Sequence, residues 1–276
     1  MRSFLKLLAI VSLLTIPQFL SAKSGHNLFN VLAFYTAKND QAHISFVHEA
    51  NQWFSGISLK KHFRYVSTDD WTRLNKDTLA NYQVVIFLDT RPELPDQRNA
   101  FENFMKTGGG FIGFHFSAFA LTPSDFPQNW DWYHNEFLGS GEYKGNTWRP
   151  TSAILKVETR KPPVTRHLPK TFKSQPNEWY SWTNKLRENP DIEVLLSIDS
   201  SSFPVGTGPK PHEIWHGGDF PVVWTNRNYR MIYINMGHND IDYEHGTNKE
   251  LSFTFTNKTQ NRLILDAIKW LGTKSK

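Results

Sequence analysis

The chain has 276 residues, 39% of them hydrophobic, enough to bury the core of one large α/β domain. Its formal net charge of +5 comes without any long run of Lys or Arg, which argues against a nucleic-acid footprint. It contains no cysteine, so no disulfide staples the fold and no thiolate can serve as a nucleophile.

Met1-Arg2 and Lys6 make a short basic start, Leu7 to Ile16 is apolar, Pro17 breaks the run, and Ser21-Ala22 offers a small-residue cleavage point. Residues 1–22 therefore read as a secretory signal peptide, since so short an apolar run cannot cross a bilayer. The expectation is an exported protein, periplasmic or secreted, with no stable membrane insertion after cleavage.

Asn30 to Thr36 (NVLAFYT) is an apolar and aromatic strand. Ala42, Phe46, Val47, Ala50, Trp53 and Phe54 then recur at helical spacing, with His43 in the first turn. Lys61 to Ser67 alternates as a half-buried strand, and Asp69-Asp70-Trp71 opens a short helix with Asp as its cap. Tyr82 to Leu88 (YQVVIFL) has the near-continuous apolarity of a strand buried on both faces, and it ends at Asp89-Thr90. Pro95-Asp96 starts a helix with Ala100, Phe101, Phe104 and Met105 inward, which Gly108 to Gly110 terminate. Gly110 to Phe114 is another short buried strand, with His115 at its tip.

This alternation argues a doubly wound, mostly parallel sheet flanked by helices, in which ligands bind at the carboxyl ends of strands. The second half is less periodic. Thr122 to Arg149 reads as a long loop region with a short helix at Trp132 to Leu138. Ser152 to Val157 and Glu193 to Ile198 are strands, Pro221 to Thr225 and Arg230 to Asn235 a hairpin, and Thr259 to Leu271 an amphipathic helix. Without repeats or a low-complexity linker, a single domain with long loops is expected.

From about Asn27 to Gly272 the chain resembles the trehalose-utilisation (ThuA-like) family, which has the class I glutamine-amidotransferase-like fold, a flavodoxin-like architecture. The resemblance rests on Val31 to Thr36 with His43, on Val84 to Thr90, and on Gly108 to His115, which is similar to a GGG-strand-G-x-H signature. It continues in the Trp- and Tyr-rich segment Trp130 to Gly139, in Asn177-Glu178-Trp179-Tyr180 and in Gly237-His238. Two departures stand out. Asp219-Phe220-Pro221 precedes Trp224 where the family has His-Pro, and Phe116-Ser117-Ala118-Phe119 replaces small and acidic residues after the signature histidine. The latter points to a more apolar ligand end.

The amidotransferase nucleophile lies in a G-x-C-x-G elbow, where this chain reads Gly113-Phe114-His115-Phe116-Ser117. A glutaminase is therefore excluded, and no G-x-S-x-G pattern supports a serine hydrolase. His115, His238 and Glu178 are the candidate catalytic residues. They could move protons as acid and base, or they could ligate a divalent catalytic metal such as zinc. Against this stands the plain reading of each as a hydrogen-bonded or surface residue. His43, Asp89, Thr90, Trp130, Trp132, Tyr133, Trp179 and Tyr180 are candidate substrate-binding residues, the aromatic ones as a wall on which a sugar could stack. His212 to His216 meets the bare H-E-x-x-H pattern, but flanking Pro and Gly make the helix it requires implausible. The resemblance implies a small sugar as partner, and thus an exported enzyme of carbohydrate catabolism acting on trehalose or a keto-disaccharide. A non-catalytic carbohydrate-binding protein is the alternative.

Overall fold

The computed structural model describes residues 28–122, 129–147, 149–202, 218–242, 245–247 and 249–273. The expected signal peptide and the His212–His216 motif lie outside the described residues.

The first half alternates as its sequence pattern predicts. It runs β1 (Phe29–Phe34), α1 (Gln41–Ile57), β2 (Phe63–Thr68), α2 (Lys76–Leu79), β3 (Val84–Phe87), α3 (Pro95–Lys106) and β4 (Gly110–Phe114). The second half adds β5 (Tyr143–Asn146), β6 (Ile154–Val157), β7 (Thr171–Lys173), β8 (Tyr180–Trp182), β9 (Ile192–Ile198), β10 (Pro221–Asn226), β11 (Arg230–Ile234) and α4 (Lys258–Gly272).

Nine strands form one sheet in the order β2-β1-β3-β4-β11-β10-β9-β6-β7. The five from β2 to β11 are parallel, and the rest pair antiparallel outward from the β10–β11 hairpin. The sheet is covered on both faces, as strands with unbroken apolar runs require. Alternate residues of each strand enter opposite cores. Val31, Ile86, Ile112 and Ile232 meet Phe46 and Phe54 of α1 and Leu263 and Ile268 of α4 on one side. Leu32, Val85, Phe111 and Met231 meet Phe101 and Met105 of α3 on the other.

The short helix expected at Trp132 to Leu138 is a π-helical turn over Trp132–Phe137. Its wider winding is held from β10, where Asn226 Nδ2 donates to the carbonyls of Glu136 and Phe137, each at 2.9 Å. β5 and β8 form a separate two-stranded ribbon that the sequence pattern does not announce. Their runs are too short to show alternation, and Gly145 interrupts one of them.

Candidate active site

Parallel register brings several chain segments to one edge of the sheet. Phe34 pairs with Phe87, Phe87 with Gly113, and Phe114 with Ile234, so the residues following β1, β3, β4 and β11 emerge together. That edge is where doubly wound sheets bind ligands.

His115 turns sharply out of β4 with a φ of 37°, a left-handed conformation rare outside glycine. Neighbours hold it there. Tyr233 donates its hydroxyl to the His115 carbonyl at 2.8 Å, and the Tyr180 ring lies against the imidazole with centroids 4.0 Å apart. Gly113 is required beneath the turn, because a Cβ there would come within 2.8 Å of Ser117 Oγ. His238 follows β11 after Gly237, whose φ is 149° and whose Cβ, if present, would lie 3.0 Å from that of His115.

Asn177 ties the third segment in. Its Oδ1 accepts from the backbone N–H of Gly237 at 2.9 Å and of His238 at 3.1 Å, while Nδ2 donates to the carbonyls of Asn235 and Glu178. Glu178 N–H donates to the His238 carbonyl at 2.9 Å, which lays its side chain across the ends of β4 and β11. Glu178 Oε1 accepts from Asn146 Nδ2 at 2.5 Å. Its Oε2 lies 2.9 Å from His238 Nδ1 and 3.5 Å from His115 Nε2.

His43 arrives from the first turn of α1. Asp40 caps that helix, accepting from the N–H groups of Ala42 and His43 at 2.8 and 3.3 Å. The His43 ring stands 4.9 Å from that of His238 and 5.4 Å from that of His115. One nitrogen or oxygen each from His43, His115, Glu178 and His238 lies within 4.8 Å of all the others.

Burial would push the Glu178 carboxyl up, but the imidazoles of His115 and His238 outweigh it and hold the group ionised, well below the usual carboxylate range. Burial lowers His238, yet Glu178 against it raises the imidazole above its ordinary value. His115 stays depressed because burial dominates over Glu178, and burial with two neighbouring imidazoles takes His43 down to about 3. Two neutral rings therefore stand beside an anion.

His43 Nε2 and both ring nitrogens of His115 are buried without a hydrogen bond of normal geometry among the described residues. A buried polar atom left unpaired costs about 1–3 kcal/mol. The unpaired nitrogens of the neutral His43 and His115 rings, converging with His238 and the Glu178 carboxylate, fit a divalent cation of the zinc type.

A cavity of about 290 Å³ opens beside the cluster between the ends of β1 and β3, and His43, Asp89, Thr90 and Phe116 are among its lining residues. Asp89 also has a structural task, its two oxygens accepting from the N–H groups of Thr36 at 2.8 Å and Ala37 at 2.6 Å. Burial raises its carboxyl to about 6 despite those bonds.

The structure thus brings together His115, Glu178 and His238, and adds His43 to them as a fourth potential ligand. Tyr180 packs on His115. The other aromatic residues expected to form a stacking wall lie elsewhere. Trp130, Trp132 and Tyr133 pack against Phe101 and Phe137 under α3, and Trp179 is fully buried with its Nε1 donating to the Thr151 carbonyl at 2.7 Å. The rings of Trp130, Trp132 and Tyr133 fill the core on that face of the sheet, in one cluster with Leu79 of α2 and Phe101 and Met105 of α3. Asn146 is a site residue that sequence reasoning missed. Asn177 entered only as part of the Asn177-Glu178-Trp179-Tyr180 motif, and Phe116 only within the apolar segment after His115, neither with a role of its own.

These features define a doubly wound α/β protein with a buried His/Glu cluster at the carboxyl edge of its parallel strands. The profile of the ThuA family, described as trehalose utilisation, matches residues 30–271, and the chain belongs to that family. Membership supports a carbohydrate-related role. A ThuA-like protein from Bacteroides uniformis is 35% identical, with 93% of this chain and 96% of that one covered at a TM-score of 0.78. A ThuA-like protein from Parabacteroides merdae shares the fold at 16% identity, with 90% and 91% covered and a TM-score of 0.58. No curated protein sequence matches at a significant level.

Proposed function

We propose that the protein is an exported enzyme that processes a sugar of the trehalose or keto-disaccharide type, with His43, His115, Glu178 and His238 holding a divalent metal such as zinc. The observation that carries this reading is the convergence of four ligand atoms within 4.8 Å at the end of the sheet where ligands bind. Family membership supports the carbohydrate part of it.

A bound divalent cation would polarise a sugar oxygen or lower the pKa of a water. The protein's part follows from the geometry. Glu178, kept ionised, would balance the charge of a cation held here, and Asn146 fixes its other oxygen. Tyr180 and the Tyr233 hydroxyl hold His115 in its turn. Without a cation, His238 and Glu178 at 2.9 Å would still form a proton-sharing pair suited to acid–base work. Export is supported by the basic and apolar pattern of residues 1–22.

Elemental analysis of purified protein, with turnover measured on trehalose and a panel of 3-keto-glycosides, tests the proposal. The expected result is about one metal per chain and a loss of turnover of at least about a hundredfold in His115→Ala and His238→Ala. Full turnover in both variants would refute a catalytic role for this cluster. Sugar binding by the wild type without conversion anywhere in the panel would favour a carbohydrate-binding protein.

A further inference from the structure

The cavity beside the cluster shares His43 with it and is otherwise lined by residues outside the cluster. Its volume of about 290 Å³ lies at the lower end of ligand pockets, which run from about 300 Å³ upward. Its charged side chains balance, with Asp40, Asp89 and Glu93 against Lys38, Arg91 and Arg98. A phosphate or an ammonium group entering there meets as many like charges as opposite ones. Hydroxyl groups suit such a wall better, since each can donate to a carboxylate and accept from a cation.

One side of the cavity is apolar. Phe116 lines it, its ring 5.0 Å from that of His43 and stacked on Phe119 at 4.7 Å with 14° between planes. Phe119 in turn packs on Tyr143 at 4.9 Å, so Phe116 is held from behind rather than free to swing. An apolar wall facing a rim of donors and acceptors matches a pyranose ring, whose C–H face is apolar and whose perimeter is hydroxylated. His43 belongs both to the cavity lining and to the four-residue cluster, so a ligand seated here reaches the cluster with its next unit.

We infer that this cavity receives one neutral, unphosphorylated sugar ring of a glycoside whose neighbouring unit lies at the His43–His115–Glu178–His238 cluster, and that Phe116 sets the preference for that ring. This rests on the carbohydrate reading above and extends it to the size and charge of the substrate.

Binding calorimetry on the full chain as purified tests it, with trehalose, glucose and trehalose 6-phosphate as probes. Trehalose should bind at least about tenfold more tightly than either of the other two, the equivalent of about 1.4 kcal/mol. Phe116→Ala should remove most of the advantage over glucose and leave the metal content unchanged. Glu93→Gln, at an exposed position, should weaken trehalose binding in the same sense. Equal affinity for trehalose and glucose overturns the inference, and so does tighter binding of the phosphate. The two readings separate cleanly. Trehalose bound in this pattern but never converted, alone or as its keto derivative, leaves the subsite standing and removes the enzyme. Turnover that depends on His115 with no advantage for two rings over one does the reverse.

Discussion

His115 sits at a φ of 37°, and a non-glycine residue in a sparsely populated backbone region costs on the order of 1–3 kcal/mol. The site is built to hold it there. Gly237 leaves the space beside its Cβ, and replacing that glycine with alanine would place a methyl group 3.0 Å from the His115 Cβ on a backbone at φ 149°. Gly237→Ala should therefore lower the free energy of unfolding by about 1–3 kcal/mol, read by urea denaturation, and should weaken metal retention more than a surface Gly56→Ala does. Asn177 is the other residue on which the geometry hangs, with both of its amide atoms bonded to backbone at buried positions. Asn177→Ala should cost about 2–4 kcal/mol, because it strands several buried backbone groups at once. A cost below about 0.5 kcal/mol, the usual size of a surface substitution, would contradict the role given to it. At this level the sequence was informative where a residue ends a strand. His115 and His238 could be placed at strand ends from apolar runs and glycines alone. Joining His43 to them could not be read, because it depends on how the α1 N-terminus is folded back over the sheet.

The elements that carry these residues were legible in proportion to their length. β1, β3 and β4 have unbroken apolar runs, and α1, α3 and α4 have three-and-four spacing, so the doubly wound frame follows from pattern. The β5–β8 ribbon has neither, although it places Asn146 against the Glu178 carboxylate. A structural consequence attaches to the turn between β1 and α1. Ala37 and Asn39 take left-handed conformations there, at φ 50° and 70°, and the Asp89 carboxylate grips the N–H groups of Thr36 and Ala37. Burial lifts the folded-state Asp89 pKa to about 6, above the ordinary 3.8. A carboxyl raised on folding contributes stability that is full below about pH 4 and is lost as pH rises through about 6. The stability of the wild type relative to Asp89→Asn should therefore shrink between those limits. A difference that stays flat or grows with pH would show that Asp89 is not a buried, proton-retaining group.

The molecule as a whole explains why so aromatic a composition did not give a sugar-stacking wall of the expected residues. The sheet face under α3 is closed by Trp130, Trp132, Tyr133, Phe101, Phe111 and Phe137 packing on one another. No helix among the described residues is long and apolar enough to cross a membrane. The proposed export is tested by sequencing the N-terminus of protein recovered from its native host, which should begin at Lys23, and retention of residues 4–16 would contradict it. The four converging side chains remain the centre of the account. Diffraction from crystals grown with zinc, measured on both sides of the zinc absorption edge, asks most directly what they hold. One anomalous peak per chain is expected, about 2.0–2.2 Å from ring nitrogens of His43, His115 and His238 and from a Glu178 oxygen. Well-ordered side chains at those four positions with no peak between them would contradict it.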